Sequence, residues 1–255
     1  MTTTANRPSV SDRERQFLLL AKTGIVTVEI VHRRHFADQN LEAARSAIRR
    51  LVNRGHLQAE PLDERRVYYC LTRRGAHTLG VSSKCAQPLK KQGKVDRYAV
   101  SWFIHAERPG KRALFNPHDY PDQFPVAGQS LPRHHFYIDH NTQRPRLGII
   151  LVDHNAQERR IVQKTVKLLG RFLHHGWFDE FIRQEAFVVT VLTFSTYRKH
   201  AFAQHIPHAI SEQLQYPLSR LRPDLTERIP IVVHVCIIPG LDTIVTHSPD
   251  EKGKP

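Results

Sequence analysis

The chain has 255 residues, too many for one small module and too few for a large multidomain enzyme, so two domains are expected. Hydrophobic residues make up 40%, enough for packed cores and against wholesale disorder. Lys and Arg number 38 against 24 Asp and Glu, a formal net charge of +14, which calls for a polyanionic partner, nucleic acid before an acidic membrane surface. Placement does not choose a region: residues 1–83 hold 14 Lys and Arg against 8 acids, and the remainder 24 against 16.

Cys70, Cys85 and Cys236 show no metal-ligand or redox spacing and read as thiols of a reducing compartment. No apolar run reaches the ~18–20 residues of a membrane span, and the first ten residues lack a signal peptide's apolar stretch. A cytoplasmic protein without membrane contact is expected. The 17 histidines include His134, His135, His140 and His154, which are expected to crowd one end of a sheet, but none falls in a zinc pattern. Neither a Gly-rich phosphate loop nor a nucleophile elbow is present, so no metal and no cofactor is expected.

In chain order, Ser11-Asp12-Arg13-Glu14 is a capping box that opens a helix over 12–22, closed by Gly24. Ile25 and Val26 are extended. Thr27 caps a second helix over 28–34, a turn follows at Phe36-Ala37-Asp38-Gln39, and Asn40 caps a third helix over 41–54. In that helix Leu41, Ala44, Ile48, Leu51 and Val52 share one side. The other side carries Glu42, Ala43, Ser46, Arg49, Arg50 and Asn53, with Arg45 on the border. Two β-prone runs around Pro61-Leu62-Asp63-Glu64 make a hairpin with Arg65 and Arg66 at its tip or return strand. Thr72 then caps a helix over 73–79, followed by Gly80.

Helix, turn, basic helix and hairpin in this order describe a winged helix-turn-helix over residues 10–81. Its expected double-stranded DNA contacts are Asn40, Ala43, Arg45, Ser46, Arg49, Arg50 and Asn53 on the third helix, and Arg65 and Arg66 on the wing. A solvated basic helix face, or a winged helix used for protein contacts, is the competing reading.

The run from Arg13 to Val81, with its Tyr68-to-Gly80 stretch "YYCLTRRGAHTLG", resembles the replication–relaxation family of mobile-element proteins. The resemblance implies action at DNA on plasmids or integrative conjugative elements, in replication, transfer or transcriptional control.

Residues 82–94 are polar and read as a linker. The second domain, 95–240, is expected to be α/β with a central mixed sheet: a helix over 95–106, a loop over 107–133, and strands over 134–140 and 147–152. A helix over 156–175, a strand over 187–194, helices over 197–205 and 208–221 and a strand over 229–238 complete it, before a disordered tail over 241–255. The resemblance implies a restriction-endonuclease-like fold here. Such nucleases hold Mg²⁺ on one strand's carboxylate and on an acidic-x-Lys triplet of the next. Asp139 and Asp153-His154-Asn155 occupy those places, with Asn155 where Lys is required and Lys164 far along the following helix. They read as vestigial, and no catalytic residue is assigned.

The sequence therefore points to a sequence-specific regulator whose second domain dimerises, senses a ligand, or contacts RNA polymerase or another regulator. A replication or relaxosome accessory protein and a Mg²⁺-dependent nuclease remain as alternatives.

Overall fold

The computed structural model describes residues 10–116, 135–221 and 231–246. The protein is α+β, with a mixed five-stranded sheet, and the chain divides into two compact units, Met1–Ser101 and Trp102–Pro255.

In the first unit, α1 (Asp12–Thr23), α2 (Val28–His35) and α3 (Leu41–Asn53) precede β1 (Leu57–Pro61), β2 (Val67–Leu71) and α4 (Arg73–Thr78). Each helix starts where the sequence supplies an oxygen for an orphan amide: Ser11 accepts from Glu14, Thr27 from Ile30, Asn40 from Ala43 and Thr72 from Gly75. β1 and β2 pair antiparallel, Leu57 opposite Leu71 and Pro61 opposite Val67, and Val26 adds one bridge to Tyr69. Phe17, Leu18, Val31, Ala44, Ile48, Leu51, Leu57 and Leu71 meet in one core. α4 runs so close to β1 that a Cβ on Gly75 would stand 2.1 Å from the His56 carbonyl oxygen.

The stretch expected as a linker is folded. Residues Ser83–Ala86 form a 3₁₀ turn and α5 (Lys91–Ser101) follows. The Leu89 amide donates to the Tyr68 hydroxyl at 2.9 Å, and the Ile25 amide donates to the Ser101 hydroxyl at 2.9 Å. Lys94 donates to the Pro61 carbonyl at 2.7 Å. Cys85 and Ala86 also pack against the core of the first unit. The division of the chain therefore falls inside the expected helix over 95–106, not at 82–94.

The second unit opens with a π-helical turn, Trp102–Glu107. Its strands are β3 (Arg112–Phe115), β4 (His135–Asp139), β5 (Arg146–Val152), β6 (Phe187–Thr193) and β7 (Ile231–Ile237), in that spatial order. β3, β4 and β5 are antiparallel neighbours, while β5, β6 and β7 run parallel. β3 lies in the expected loop; residues 117–134 of that loop, His134 among them, are outside the described residues.

α6 (Glu158–His174) and α7 (Asp179–Arg183) connect β5 to β6, and α8 (Thr196–Leu221) connects β6 to β7. α8 is one helix where two were expected to part near Pro207. Proline removes its own donor and crowds the carbonyl four residues back, yet Phe202, Ile206 and Ile210 seat the helix in the core on both sides of it. α9 (Leu241–Thr246) buries Leu241 and Ile244 where a disordered tail was expected to begin; residues 247–255 are outside the described residues.

Inward residues of α6, α7 and α8 pack on Phe136, Leu147, Ile149, Leu151, Phe187, Val189, Val191 and Val235, one face of the sheet. On the other, the Tyr137 ring lies across Gly148, where a Cβ would come within 2.1 Å of it, and the Tyr137 hydroxyl meets that of Thr190 at 2.7 Å.

Candidate nucleic-acid interface

α3 buries Ala44, Ala47, Ile48 and Leu51 and turns Glu42, Arg45, Arg49, Arg50 and Asn53 to the surface. Ala43 and Ser46 are half-buried, small residues that keep the face between the arginines open. From Glu42 to Asn53 the face is about 17 Å long at 1.5 Å per residue. The approach from α2 is set by the His32 ring on the Gln39 carbonyl at 2.8 Å, and Arg13 lies over the Phe36 ring.

The three arginines are held to different degrees. Arg45 meets Glu42 at 3.4 Å with both side chains about half exposed, a pair worth ~0–1 kcal/mol and easily exchanged for an anion. Arg50 reaches Glu14 at 3.8 Å, and Arg54 reaches it at 3.1 Å. Arg49 is exposed and has no partner among the described residues. Glu14 is thus more than the capping-box acid read from the sequence, since it also ties the end of α3 to the start of α1. Burial alone would raise its carboxyl. The Ser11 amide, Arg54, the Ser11 hydroxyl and Arg50 reverse that and hold it below its ordinary value.

Two expected contacts are restricted by their own bonds. Asn40 gives its side-chain oxygen to the Ala43 amide at 3.0 Å, so only its amide donor is free. Arg66 is committed to Asp63, with its Nε 2.6 Å from Oδ2, and to the Tyr98 hydroxyl at 3.1 Å, with its guanidinium over the Tyr98 ring. Asp63 also accepts the Arg65 and Arg66 amides and so shapes the hairpin turn. Arg65 is exposed and its guanidinium has no partner among the described residues. Leu41, expected on the core side, is 38% exposed at the first position of α3. Apolar periodicity carries a helix stripe past the edge of the core, so it misplaces an end residue of this kind.

His35 closes α2 against the Phe17 ring, with centroids 5.0 Å apart. Its buried Nε2 has no hydrogen-bond partner, and burial, with Arg34 and Arg13 nearby, pushes its pKa down to about 4.

In the second unit the expected carboxylate constellation is not assembled. Asp139 lies opposite Arg146 at the start of β5, while Asp153 follows the end of that strand. Seven residues at ~3.3 Å put them roughly 23 Å apart along the sheet. Each is also neutralised by a different arginine. Arg112 is 3% exposed and binds Asp139 at 3.2 Å, Glu107 and the Phe103 carbonyl, with its guanidinium 3.7 Å from the Phe103 ring centroid. Asp153 is fully buried and takes two bonds from Arg198, one from the Thr193 hydroxyl at 2.9 Å and one from the Asn155 amide. Lys164 is exposed on α6.

The expected histidine cluster is also divided. His135 pairs with Ile150 near the end of β5 that leads to His154, whereas His140 follows Asp139 at the opposite end. Among the described residues no three His, Cys, Asp or Glu side chains form a group able to hold a metal ion, and no helix is long and apolar enough to cross a membrane. Burial, with Glu107 nearby, pushes the Cys236 thiol up to about 12, which makes it a poor nucleophile.

No family model, curated protein or solved structure matches the chain.

Proposed function

We propose that the first unit is a winged helix-turn-helix and that the protein is a sequence-specific, double-stranded DNA-binding transcriptional regulator of a bacterial mobile element. One observation carries this reading. The exposed face of α3 combines an uncommitted Arg49, a loosely held Arg45, small or polar positions at Ala43, Ser46 and Asn53, and a hairpin that follows directly with Arg65 unpartnered. A helix ~10–12 Å across fits a major groove of about that width. In this reading Arg49 contacts a guanine edge, Arg45 and Arg50 hold phosphates, and Ser46 and Asn53 supply polar base contacts. Leu41 meets a thymine methyl and Arg65 the neighbouring backbone. The mobile-element context rests on the resemblance of residues 13–81 to the replication–relaxation family.

The second unit, in this account, serves dimerisation or contact with RNA polymerase or another regulator. Its two expected metal carboxylates stand at opposite ends of β5, which favours the regulator over a nuclease built on Asp139 and Asp153.

Chromatin immunoprecipitation with sequencing in the host tests the assignment. Occupancy at promoters, lost with Arg49→Ala, is the expected result. Occupancy confined to a replication or transfer origin would replace the regulator with an accessory protein using the same α3 contacts.

A further inference from the structure

α6 carries a second cationic face that the contacts of α3 leave unused. Ile161, Thr165, Leu168, Leu169 and Phe172 are its buried side. Arg160, Lys164, Lys167 and Arg171 project from the opposite side, all exposed. At 100° per residue these four fall within an arc of roughly 60°, and at 1.5 Å per residue they span about 16 Å. None of the four side chains has an ion pair or hydrogen bond among the described residues. The helix's one acid, Glu158, is its first residue and pairs with His205.

Such a face works against the helix that bears it. Arg160 and Lys164, Lys164 and Lys167, and Lys167 and Arg171 are like charges at spacings that bring side chains together. Arg159 and Arg160 also stand in the first turn, at the positive end of the helix dipole. Several exposed arginines of other helices have acids one turn away: Arg33 with Glu29, Arg45 with Glu42 and Arg183 with Glu180. On α6 that compensation is missing.

We propose that the outer face of α6 is a second DNA contact, in which Arg160, Lys164, Lys167 and Arg171 follow the sugar–phosphate backbone of a duplex without reading its sequence. The stripe matches about five nucleotides of one strand at ~3.4 Å each. α6 turns no Phe, Tyr or Trp outward among these cations, its one such residue, Phe172, being buried, so this helix face lacks the aromatic platform that single-strand binders use. The apolar side of α6 is already buried in its own unit, whereas a membrane-surface helix keeps that side for lipid. This contact rests on the reading of the protein as a DNA binder, but on none of the α3 residues.

The test is fluorescence anisotropy of the full chain on a duplex of arbitrary sequence, titrated between about 50 and 200 mM salt. Four forms are compared: wild type, Arg49→Ala, the quadruple Arg160→Gln/Lys164→Gln/Lys167→Gln/Arg171→Gln, and Lys164→Gln alone. The quadruple variant is expected to bind at least about 10-fold more weakly at 100 mM salt, with a log K against log salt slope shallower by roughly 3–4. Lys164→Gln alone lowers the slope by about 0.9. Removing the like charges raises the melting temperature of the quadruple variant, so lost affinity cannot be ascribed to misfolding. Wild-type affinity and slope in the quadruple variant overturn the proposal. So does α6-dependent binding to vesicles containing phosphatidylserine with duplex binding unchanged. If α6 variants lose duplex binding while Arg49→Ala equals wild type on every duplex, the α6 contact stands and the α3 reading fails.

Discussion

The outer face of α3 and the surroundings of the five-stranded sheet are both rich in arginine, but they use it in opposite ways. On α3, Arg45 and Arg50 are held by single contacts of 3.4 and 3.8 Å, and Arg49 by none among the described residues. In the second unit Arg112 and Arg198 are enclosed, each with its donors already on a carboxylate and a backbone carbonyl. An exposed, loosely paired guanidinium is free to meet a phosphate or a base edge. An enclosed one is a structural part, and deleting its carboxylate strands a charge away from water. Exposure and pairing, not residue type, separate the cations that can face a partner from those that hold the fold.

The largest effect should come from stranding such a charge. Asp153→Ala leaves Arg198 without its bidentate partner, and a loss of about 3–5 kcal/mol in denaturant unfolding is expected. A loss below about 1 kcal/mol would make Asp153 structurally dispensable and return it to consideration as a functional acid. Within the hairpin the same contrast can be drawn between adjacent residues. Arg66→Ala should destabilise the first unit by roughly 1.5–3 kcal/mol, the range for hydrogen bonds to charged groups, because Asp63 and Tyr98 both lose the Arg66 guanidinium. Arg65→Ala should change stability by no more than about 0.5 kcal/mol and instead lower the salt slope of duplex binding by about 0.9. Equal effects at the two positions would erase the distinction between held and free cations.

What the sequence made legible, and what it hid, follows the range of the interactions. Ser11, Thr27, Asn40 and Thr72 act on amides within three residues, so four helix starts could be read directly. The partners of the candidate acids could not, because Arg112 is 27 residues from Asp139 and Arg198 is 45 from Asp153. Two carboxylates on neighbouring strands suggested convergence, yet the antiparallel register of β4 and β5 sends them to opposite ends. β3 was hidden by its brevity, and the fold of residues 82–94 by a polar stretch whose contacts, Leu89 with Tyr68 and Lys94 with Pro61, are long-range. The α6 face is written in the sequence as Arg160, Lys164, Lys167 and Arg171, cations at helical spacing on the side away from the inner stripe.

A smaller effect should appear in acid. His35 titrates near 4 in the folded chain against about 6.5 unfolded, so the unfolded state binds more protons between these values. The His35 contribution is fully present above about pH 6.5, falls as pH drops towards about 4, and is flat below. Glu14, held below its ordinary value, contributes above about 4.5 and is lost only at lower pH. Melting temperature against pH should therefore fall between pH 6.5 and 4 in the wild type and less in His35→Phe. Identical profiles would remove His35 as the source.

The most direct measurement is the specificity ratio of purified protein, wild type and Arg49→Ala, between a duplex selected from a random library and an unrelated duplex. The account predicts an enriched site and a loss of about 1–3 kcal/mol on that site for Arg49→Ala, with little change on the unrelated duplex and unchanged melting temperature. No enriched sequence, or equal affinity of both forms for the enriched site, would contradict the reading of α3 as the element that recognises DNA.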